Sequence, residues 1–261
     1  MEYANGFAKV ILSLVATIIL YFILSTTRGK ELFIRKVPGV DAIDEVVGRA
    51  VELGRPILFS IGLGGIDITT LQAITVIGHV ARLAARFRNR VIVPVVDPMA
   101  IPVIEEVQRE AYAGEGNLEA FDPEDIRFLS GEQFAYAAGV VGILHRERVG
   151  ATFYFGSFAA ESLVMAENGQ AVGAVQIAST PDSNQIPFFL ATCDYVIIGE
   201  EYYAVTALMS DDPVLKGSLI GQDYVKIVLL ALIVAGFLLT SLLGPEGNFL
   251  LRWFRPGGQG G

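Results

Sequence analysis

Two uncharged apolar runs lie near the two ends of the chain. The first covers residues 10–24 and the second covers residues 227–243. A helix rises about 1.5 Å per residue, so a bilayer core about 30 Å thick needs roughly 17–25 residues. Both runs reach this length once their flanks are included. The pattern therefore predicts two transmembrane helices, an N-terminal anchor over residues 1–27 and a second span over residues 225–244.

Each run also has an alternative interpretation. The first resembles a cleaved signal peptide in having Lys9 before it, but the residues that follow, STTRGK at 25–30, contain no small-x-small cleavage site. The second is long enough for a buried core helix, but it is uncharged on all faces, which is uncommon in helices of soluble proteins. The pattern favours a retained anchor and a membrane-embedded second helix.

Between the two runs, short apolar segments alternate with helical patterns. Segments rich in β-branched or aromatic residues predict strands at 56–61, 90–96, 125–129, 151–155, 174–178 and 195–198. Helical patterns occur at 41–53, 69–87, 102–112, 133–148, 159–167, 186–192 and 201–209. This alternation predicts an α/β domain with a roughly six-stranded, mainly parallel, Rossmann-like sheet flanked by helices.

The two spans set the expected boundaries and topology. We assign residues 28–224 to the α/β domain and residues 245–261 to an interfacial or disordered tail. Four Lys and Arg residues follow the first span within residues 28–36, against Lys9 before it, and such residues concentrate on the cytoplasmic side. We expect a two-pass protein of the cell (inner, cytoplasmic) membrane with a cytoplasmic central domain, although two arginines in the tail act against this orientation.

Charge and cysteine content narrow the partners. The chain carries 19 Lys and Arg against 28 Asp and Glu, and the excess of acids lies in the central domain. Such a surface repels nucleic acid. The single cysteine, Cys193, excludes an intramolecular disulfide and a cysteine-based metal site. The expected partners are the lipid bilayer and either further copies of the chain or other subunits of a membrane complex, and no sequence signal identifies a cofactor.

Polar and glycine residues follow the predicted strands, where parallel sheets bind ligands. The candidate ligand-binding residues are Gly62, Gly64, Gly65, Asp67, Asp97, Thr180, Asp182 and Asn184. A glycine-rich turn lets backbone N–H groups approach an anion. However, the turn lacks the full G-x-G-x-x-G spacing, and no Lys or Arg stands at a strand end. A tight strand-to-helix turn is the favoured interpretation, and a small polar ligand remains a hypothesis.

The acids at the strand ends offer a second kind of site. Asp97, Asp182, Glu200 and Glu201 carry the oxygen ligands that divalent cations prefer. They match no spaced calcium motif, and acids are common at helix starts because the helix dipole favours them there. We therefore predict no metal site.

Ser157 is the candidate nucleophile, because it lies where a predicted strand leads into a helix. The surrounding residues do not form the G-x-S-x-G pattern. The two histidines, His79 and His145, fall within helical patterns, which places them poorly for chemistry at a strand end. Helix N-capping is the favoured role of Ser157, and serine hydrolysis remains an alternative.

Two stretches of the central domain resemble a known family. They are residues 54–97, beginning GRPILFSIGLGGIDITTLQAI, and residues 156–204, GSFAAESLVMAENGQAVGAVQIASTPDSNQIPFFLATCDYVIIGEEYYA. Both resemble an uncharacterised prokaryotic membrane-protein family described only as a domain of unknown function. The resemblance implies a membrane-attached α/β domain and assigns no activity. A weaker resemblance links Gly64, Gly65 and Ser157 to membrane-bound peptidases of the ClpP/crotonase type, whose positioned lysine is missing here.

Together these observations favour a membrane-anchored scaffold or accessory subunit that self-associates or docks a membrane complex. Uncharged apolar stretches at 134–144 and 186–191 supply contact surfaces for such a role, or else belong to the core. The alternatives are a membrane-tethered serine hydrolase that uses Ser157 and a small-ligand sensor.

Overall fold

The computed structural model describes residues 6–29, 38–210 and 212–247. The predicted tail beyond residue 247 and most of the basic cluster at 28–36 lie outside these residues. The chain divides into two compact units, which are Met1–Ile34 with Asp211–Gly261, and Arg35–Ser210. The second unit is the α/β domain, and the first contains the two apolar runs.

The described residues form nine α-helices and six strands. The strands are β1 (Ile57–Gly62), β2 (Val91–Val95), β3 (Ile126–Phe128), β4 (Ala151–Ser157), β5 (Val175–Thr180) and β6 (Tyr195–Ile198). The helices are α1 (Gly6–Thr27), α2 (Pro38–Leu53), α3 (Ile68–Arg86), α4 (Ile101–Gly114), α5 (Gln133–Glu147), α6 (Glu161–Ala171), α7 (Ile186–Thr192), α8 (Glu201–Met209) and α9 (Pro213–Gly247). The predicted α/β class is confirmed, and each predicted strand overlaps an observed one.

The six strands form one parallel sheet in the order β3-β2-β1-β4-β5-β6. The order reverses between β1 and β4, because the chain first moves outward from β1 to β3 and then crosses back to β4. Open sheets of this type leave a crevice beyond the carboxyl ends of the strands at such a switch point. The carboxyl edge of the sheet is therefore the region in which to look for function.

Helices cover both faces of the sheet because the central strands are apolar on both sides. On one face Phe59 stacks on Phe153 with ring centroids 5.6 Å apart, and α3 buries an apolar stripe that includes Ile74, Ile77 and Val80. On the other face Leu58 belongs to a buried cluster with residues of α5, α6 and α7. Each Å² of apolar surface removed from water stabilises the fold by about 25 cal/mol, so these two layers are the main source of stability.

A buried polar network crosses the sheet between β4 and β5. The Gln176 amide Nε2 donates to the carbonyls of Ala166 and Thr192, both at 2.9 Å. Its Oε1 accepts from the hydroxyls of Thr152 at 3.2 Å and Tyr154 at 3.3 Å. All four hydrogen-bonding positions of the amide are thus satisfied, which is what a fully buried polar group requires.

An ion-pair cluster ties the amino end of β2 to its neighbours. Arg90 forms a two-point contact with Asp125, with Nε to Oδ2 at 3.0 Å and Nη2 to Oδ1 at 2.6 Å. Arg127 contacts the same carboxylate at 3.2 Å, and both arginines reach Glu147. Hydrogen bonding to Asp125 raises the pKa of Arg90. The pKa of Glu147 is lowered, because the hydrogen bonds and charges of Arg127 and Arg90 outweigh the opposing effect of burial.

The remaining unit is built from α1 and α9, which pack through small residues of α9. A side chain at Gly217 would lie 2.7 Å from the Cα of Ile23, and one at Gly221 would lie 3.0 Å from the Cα of Ile19. This G-x-x-x-G spacing lets two helix backbones approach closely, as is common between membrane helices. The ring of Phe22 stacks on that of Tyr224 with centroids 4.5 Å apart.

Three helices are long and apolar enough to cross a membrane, namely the segments Lys9–Thr27, Ile68–Arg86 and Pro213–Leu242. The middle one is α3, half of which is buried against the sheet of the α/β domain. The helix that carries the second apolar run starts at Pro213, twelve residues before the predicted span, and is interrupted at Gly244, where φ is +73°.

Candidate functional site

The sheet brings most of the predicted site residues to its carboxyl edge. The turn of Gly62, Gly64, Gly65 and Asp67 follows β1, and residue 97 follows β2. Ser157 ends β4, and the segment 180–184 leads from β5 into α7. Because β1 lies between β2 and β4, the β1 turn is the centre of this edge.

Two glycines let β1 and β4 come together at the switch point. Gly62 has φ +79°, and a side chain there would overlap the carbonyl oxygen of Ser157. Gly156 has φ +146°, and a side chain there would overlap the carbonyl oxygen of Ile61. The Leu63 N–H donates to the Ser157 carbonyl at 2.8 Å. Glycine is therefore required at these two positions because two backbones meet there, rather than because a backbone approaches a phosphate.

The two aspartates of the edge cap the segments that follow them. The Asp67 carboxylate accepts from the Thr70 N–H at 2.7 Å and caps α3. The Asp97 carboxylate accepts from the Met99 N–H at 2.9 Å, at the start of a short 3-10 turn. In both residues this bond uses Oδ1. Since Asp67 already occupies the start of α3, that helix end offers little to a second anion.

The residues after β5 link neighbouring loops. Asp182 accepts from the Phe158 N–H at 3.2 Å, and its own N–H donates to the hydroxyl of Thr180 at 3.1 Å. Thr180 is fully buried, whereas Asn184 is exposed. Asp182 thus holds the loop after β4 against the loop after β5, and of the predicted residues in this segment Asn184 is the one most open to solvent.

Ser157 has neither histidine as a partner. His79 Nε2 lies 3.2 Å from Asp44, and His145 Nε2 lies 3.2 Å from Asn168. Both histidines are on helices that run back from the carboxyl edge. The described part of the domain, residues 38–210, contains no lysine, so no serine–lysine pair forms among these residues. Catalysis by Ser157 stays a prediction, for which residues 38–210 supply no activating base.

Glu161 is a buried carboxylate near the switch point. It accepts from the Gln133 amide at 2.7 Å and from the Ala159 N–H at 2.9 Å, and it has no exposed surface. Both carboxylate oxygens are therefore engaged in joining α5 to the loop after β4. Among the described residues, no group of three or more His, Cys, Asp or Glu is arranged to hold a metal ion.

An exposed apolar surface is the feature of this edge that sequence reasoning missed. Its residues lie on the two neighbouring junctions β1–α3 and β2–α4 and are Ile66, Ile68, Leu71, Met99 and Val103. We call these five residues the edge patch. Ile68 is 72% exposed and Met99 is 70% exposed. The junctions are adjacent, since a side chain at Gly65 would lie 4.0 Å from Oδ2 of Asp97. Hydropathy alone gave no signal, because the same residue types fill the core.

The edge patch has a one-sided charge. Asp67 and Asp97 are the only charged residues within 63–75 and 96–104. The nearest arginines in sequence are Arg82, Arg90 and Arg109. Arg82 lies near the far end of α3 and Arg90 lies just before β2, and Arg109 of α4 is paired with Glu105 at 2.6 Å. The surface thus combines apolar side chains with carboxylates and lacks cations within these two ranges. Such a surface suits a partner with apolar and basic groups.

The family comparison agrees with the resemblance found in the sequence. No curated protein and no solved structure is similar to this chain at a significant level. The weaker resemblance to ClpP/crotonase-type peptidases has no support among the comparisons. One family model matches residues 2–248, nearly the whole chain. The chain therefore belongs to the family described as "Domain of unknown function (DUF6754)".

Proposed function

We propose that the chain is a two-pass, membrane-anchored scaffold or accessory subunit whose cytoplasmic α/β domain docks a protein partner through the edge patch. The observation that carries this proposal is the group of five exposed apolar side chains on two adjacent loop–helix junctions. Large exposed apolar patches on soluble domains mark interaction sites, because leaving them in water costs free energy.

The edge patch is not the outer rim of the core. α3 buries a separate stripe, including Ala73, Ile77 and Ala84, against the sheet. Ile68 and Leu71 lie on the opposite side of the same helix and are exposed. Burying one such side chain in an interface contributes about 1.5–3 kcal/mol, so a partner that covers several of them gains enough for a specific complex.

The rest of the edge supports docking better than catalysis. Its glycines serve the approach of β1 to β4, its aspartates cap helices and turns, and Ser157 has no histidine or lysine partner among the residues that the structure describes. Docking requires none of these groups to be chemically activated. It requires exposed surface of defined charge, and the edge patch has both properties.

Site-specific photo-crosslinking in the native membrane tests this proposal. A photoreactive side chain replaces Ile68 or Met99 in the full chain, and, as matched controls, Val164 or Leu190, which are exposed apolar residues of α6 and α7. We expect a discrete protein adduct at positions 68 and 99 and none at 164 and 190. Equal adducts at all four positions, or no adduct at 68 and 99, would refute docking through the edge patch.

A small-ligand sensor is a second candidate, and the strand order is the observation that favours it. The switch point between β1 and β4 is where sheets of this order bind ligands, and Gly64, Asp97 and Asn184 lie along that edge. A ligand that binds only the folded state raises the melting temperature. A panel of polar metabolites tested on the full chain in detergent distinguishes the candidates, because a sensor responds to one compound class and a docking subunit to none.

A further inference from the structure

We propose that the partner of the edge patch is a second copy of this chain, bound head to tail, with the edge patch of one domain on the amino edge of the sheet of the next. This inference rests on the proposed docking function and specifies its partner. It follows from the observation that the two opposite edges of the same sheet carry complementary groups.

Arginines occupy the amino edge at its centre. Arg55 precedes β1, Arg88 precedes β2 and Arg148 precedes β4, and these three strands are neighbours. Their starts are tied together, since the Asn89 amide donates to the Arg55 carbonyl at 3.1 Å and the Gly150 N–H donates to the Pro56 carbonyl at 2.9 Å. The three arginines therefore belong to one surface, which we call the basic edge.

The basic edge also carries exposed apolar side chains. Phe87 is 63% exposed, beside Arg88, and Leu53 is 51% exposed, two residues before Arg55. Arg88 is paired within the chain, with Glu119 at 3.0 Å and with the Asn117 side chain at 3.1 Å, so the charges that this edge offers to a partner are those of Arg55 and Arg148. The acids nearest to these two arginines in sequence are engaged elsewhere. Glu52 pairs with Arg49 at 3.7 Å, and Glu147 is held by Arg90 and Arg127. Like the edge patch, this surface mixes apolar and charged groups, but with the opposite sign.

Two of these arginines are held in a backbone conformation that side chains disfavour. Arg88 has φ +55° and Arg148 has φ +51°, and each follows a helix at the position where glycine or asparagine is usual. The left-handed conformation costs an ordinary residue about 1 kcal/mol or more, and a cation near a helix C-terminus recovers part of this. The Arg88 side chain is used within the chain, by Glu119 and Asn117, whereas the strained Arg148 places its side chain at this edge for a partner.

The match follows the direction of the strands. β1 begins after Arg55 and ends before Asp67, and β2 begins after Arg88 and ends before Asp97. A copy translated along the strand direction therefore brings aspartates to arginines and apolar side chains to apolar side chains. A two-fold pairing of the edge patch with itself would instead oppose Asp67 and Asp97 to their own copies. Charge complementarity thus favours head-to-tail contact over a symmetric dimer.

Such an interface leaves one unsatisfied patch and one unsatisfied basic edge on every dimer. Repetition of a head-to-tail contact gives a closed ring when the rotation closes and an open row when it does not. Either product makes the membrane-anchored domain a unit of a larger array.

Charge-inverted variants of the full chain test the proposal. The edge-patch variant is Ile68→Arg with Met99→Arg, which adds cations without removing either capping aspartate. The basic-edge variant is Arg55→Glu with Arg148→Glu. The matched controls are Leu190→Arg and Arg109→Glu, which make the same exchanges at exposed positions on α7 and α4. Protein mass is measured in mild detergent by light scattering after size-exclusion chromatography.

We expect the wild-type chain and both controls to form assemblies larger than a dimer. Each inverted variant alone should lose assembly, with an apparent dissociation constant raised about tenfold or more, since like charges now face each other. A one-to-one mixture of the two variants should recover assembly beyond the dimer, with the two variants alternating. Cations on the one variant's edge patch face acids on the other variant's basic edge, and the two remaining wild-type edges also match. A mixture that stays monomeric would overturn head-to-tail contact.

Crosslinking gives an independent readout. In a Cys193→Ser background, Met99→Cys on one copy and Phe87→Cys on another should be joined by a short bismaleimide, whereas two copies of Met99→Cys should not. A wild-type monomer, or a dimer joined through position 99 on both copies, overturns head-to-tail assembly. If photo-crosslinks at positions 68 and 99 still capture a different protein, the docking function stands and its partner is another chain. If those photo-crosslinks are also absent, both proposals fail.

Discussion

Replacing Gln176 by leucine tests how far the buried network between β4 and β5 stabilises the domain. Leucine has a similar volume, so the change removes hydrogen bonds with little change in packing. It leaves the carbonyl of Thr192 and the hydroxyl of Thr152 without the amide as partner. The Ala166 carbonyl keeps its helical N–H inside α6, and Tyr154 keeps its bond to the Met165 carbonyl at 3.2 Å. Each buried group left unsatisfied costs about 1–3 kcal/mol, partly offset by the apolar gain of leucine. We expect a net loss of about 3 kcal/mol.

Cys193 provides the assay for this prediction. It is the only cysteine of the chain and packs against the buried cluster on the α5–α7 face. Burial raises its pKa to about 12, against the opposing effect of a hydrogen bond with Thr192. Cys193 is half-buried and packed against this cluster, so the native thiol reacts slowly and opening of the structure accelerates its labelling. A loss of about 3 kcal/mol raises the open population, and hence the labelling rate, by roughly a hundredfold.

The control for this measurement is Gln170→Leu, which makes the same exchange at an exposed position of α6. It should leave the labelling rate of Cys193 within about twofold of wild type, as surface substitutions usually do. If Gln176→Leu also changes the rate by less than about threefold, the four hydrogen bonds of the amide contribute no net stability, and the reasoning from buried unsatisfied groups is wrong for this domain.

Four further predictions rest on the same structure. Arg90→Lys keeps the charge but loses the two-point contact with Asp125, so we expect a loss of about 1–2 kcal/mol by Cys193 labelling. The pKa of Glu147 is lowered in the folded state, so the stabilisation that it contributes is present above its unfolded pKa of about 4.3 and is lost as the pH falls below it. Glu147→Gln should therefore make stability less dependent on pH in acid. If stability falls with acid equally in the variant and the wild type, the assignment to Glu147 is wrong. Gly156→Ala should lower the free energy of unfolding by more than about 3 kcal/mol, because the new side chain meets the Ile61 carbonyl. The control Gly173→Ala is also at positive φ but has open space around it, and it should cost about 1 kcal/mol. Equal losses would contradict the close approach of β1 and β4 as the cause. Burial raises the pKa values of four tyrosines, Tyr112, Tyr136, Tyr154 and Tyr202. The stabilisation from keeping them protonated should be fully present below the unfolded tyrosine pKa of about 10 and should decrease above it. Their ionisation signal at 295 nm should appear only on unfolding.

The strands could be predicted because their signal is local. Segments such as β1 and β4 are apolar on both faces, and this alone indicates a buried parallel strand. The order of the strands could not be predicted, because it depends on pairings between segments far apart in the chain. The reversal at β1 and β4, and the closeness of the β1 and β2 turns, therefore became visible only in the structure.

The candidate site shows the same division. Sequence placed Gly62 and Asp67 after a strand, and both lie at the carboxyl edge. It could not distinguish a glycine that admits a ligand from one that admits a neighbouring backbone, since both require the same residue. Exposure of Ile68 was also unpredictable, because position 68 falls in an apolar helix whose other face is the core, and the burial of each position depends on what packs against it.

The close packing of α1 and α9 through Gly217 and Gly221 has a consequence for biosynthesis. The two helices are separated by about 185 residues, which a ribosome adds in roughly 10–40 s at about 5–20 residues per second. During that interval α1 exists without the helix against which Ile19 and Ile23 pack, while the whole α/β domain is synthesised and has time to fold. The helix pair can thus form only after the α/β domain has been synthesised, and a truncated product that stops before Pro213 never forms it.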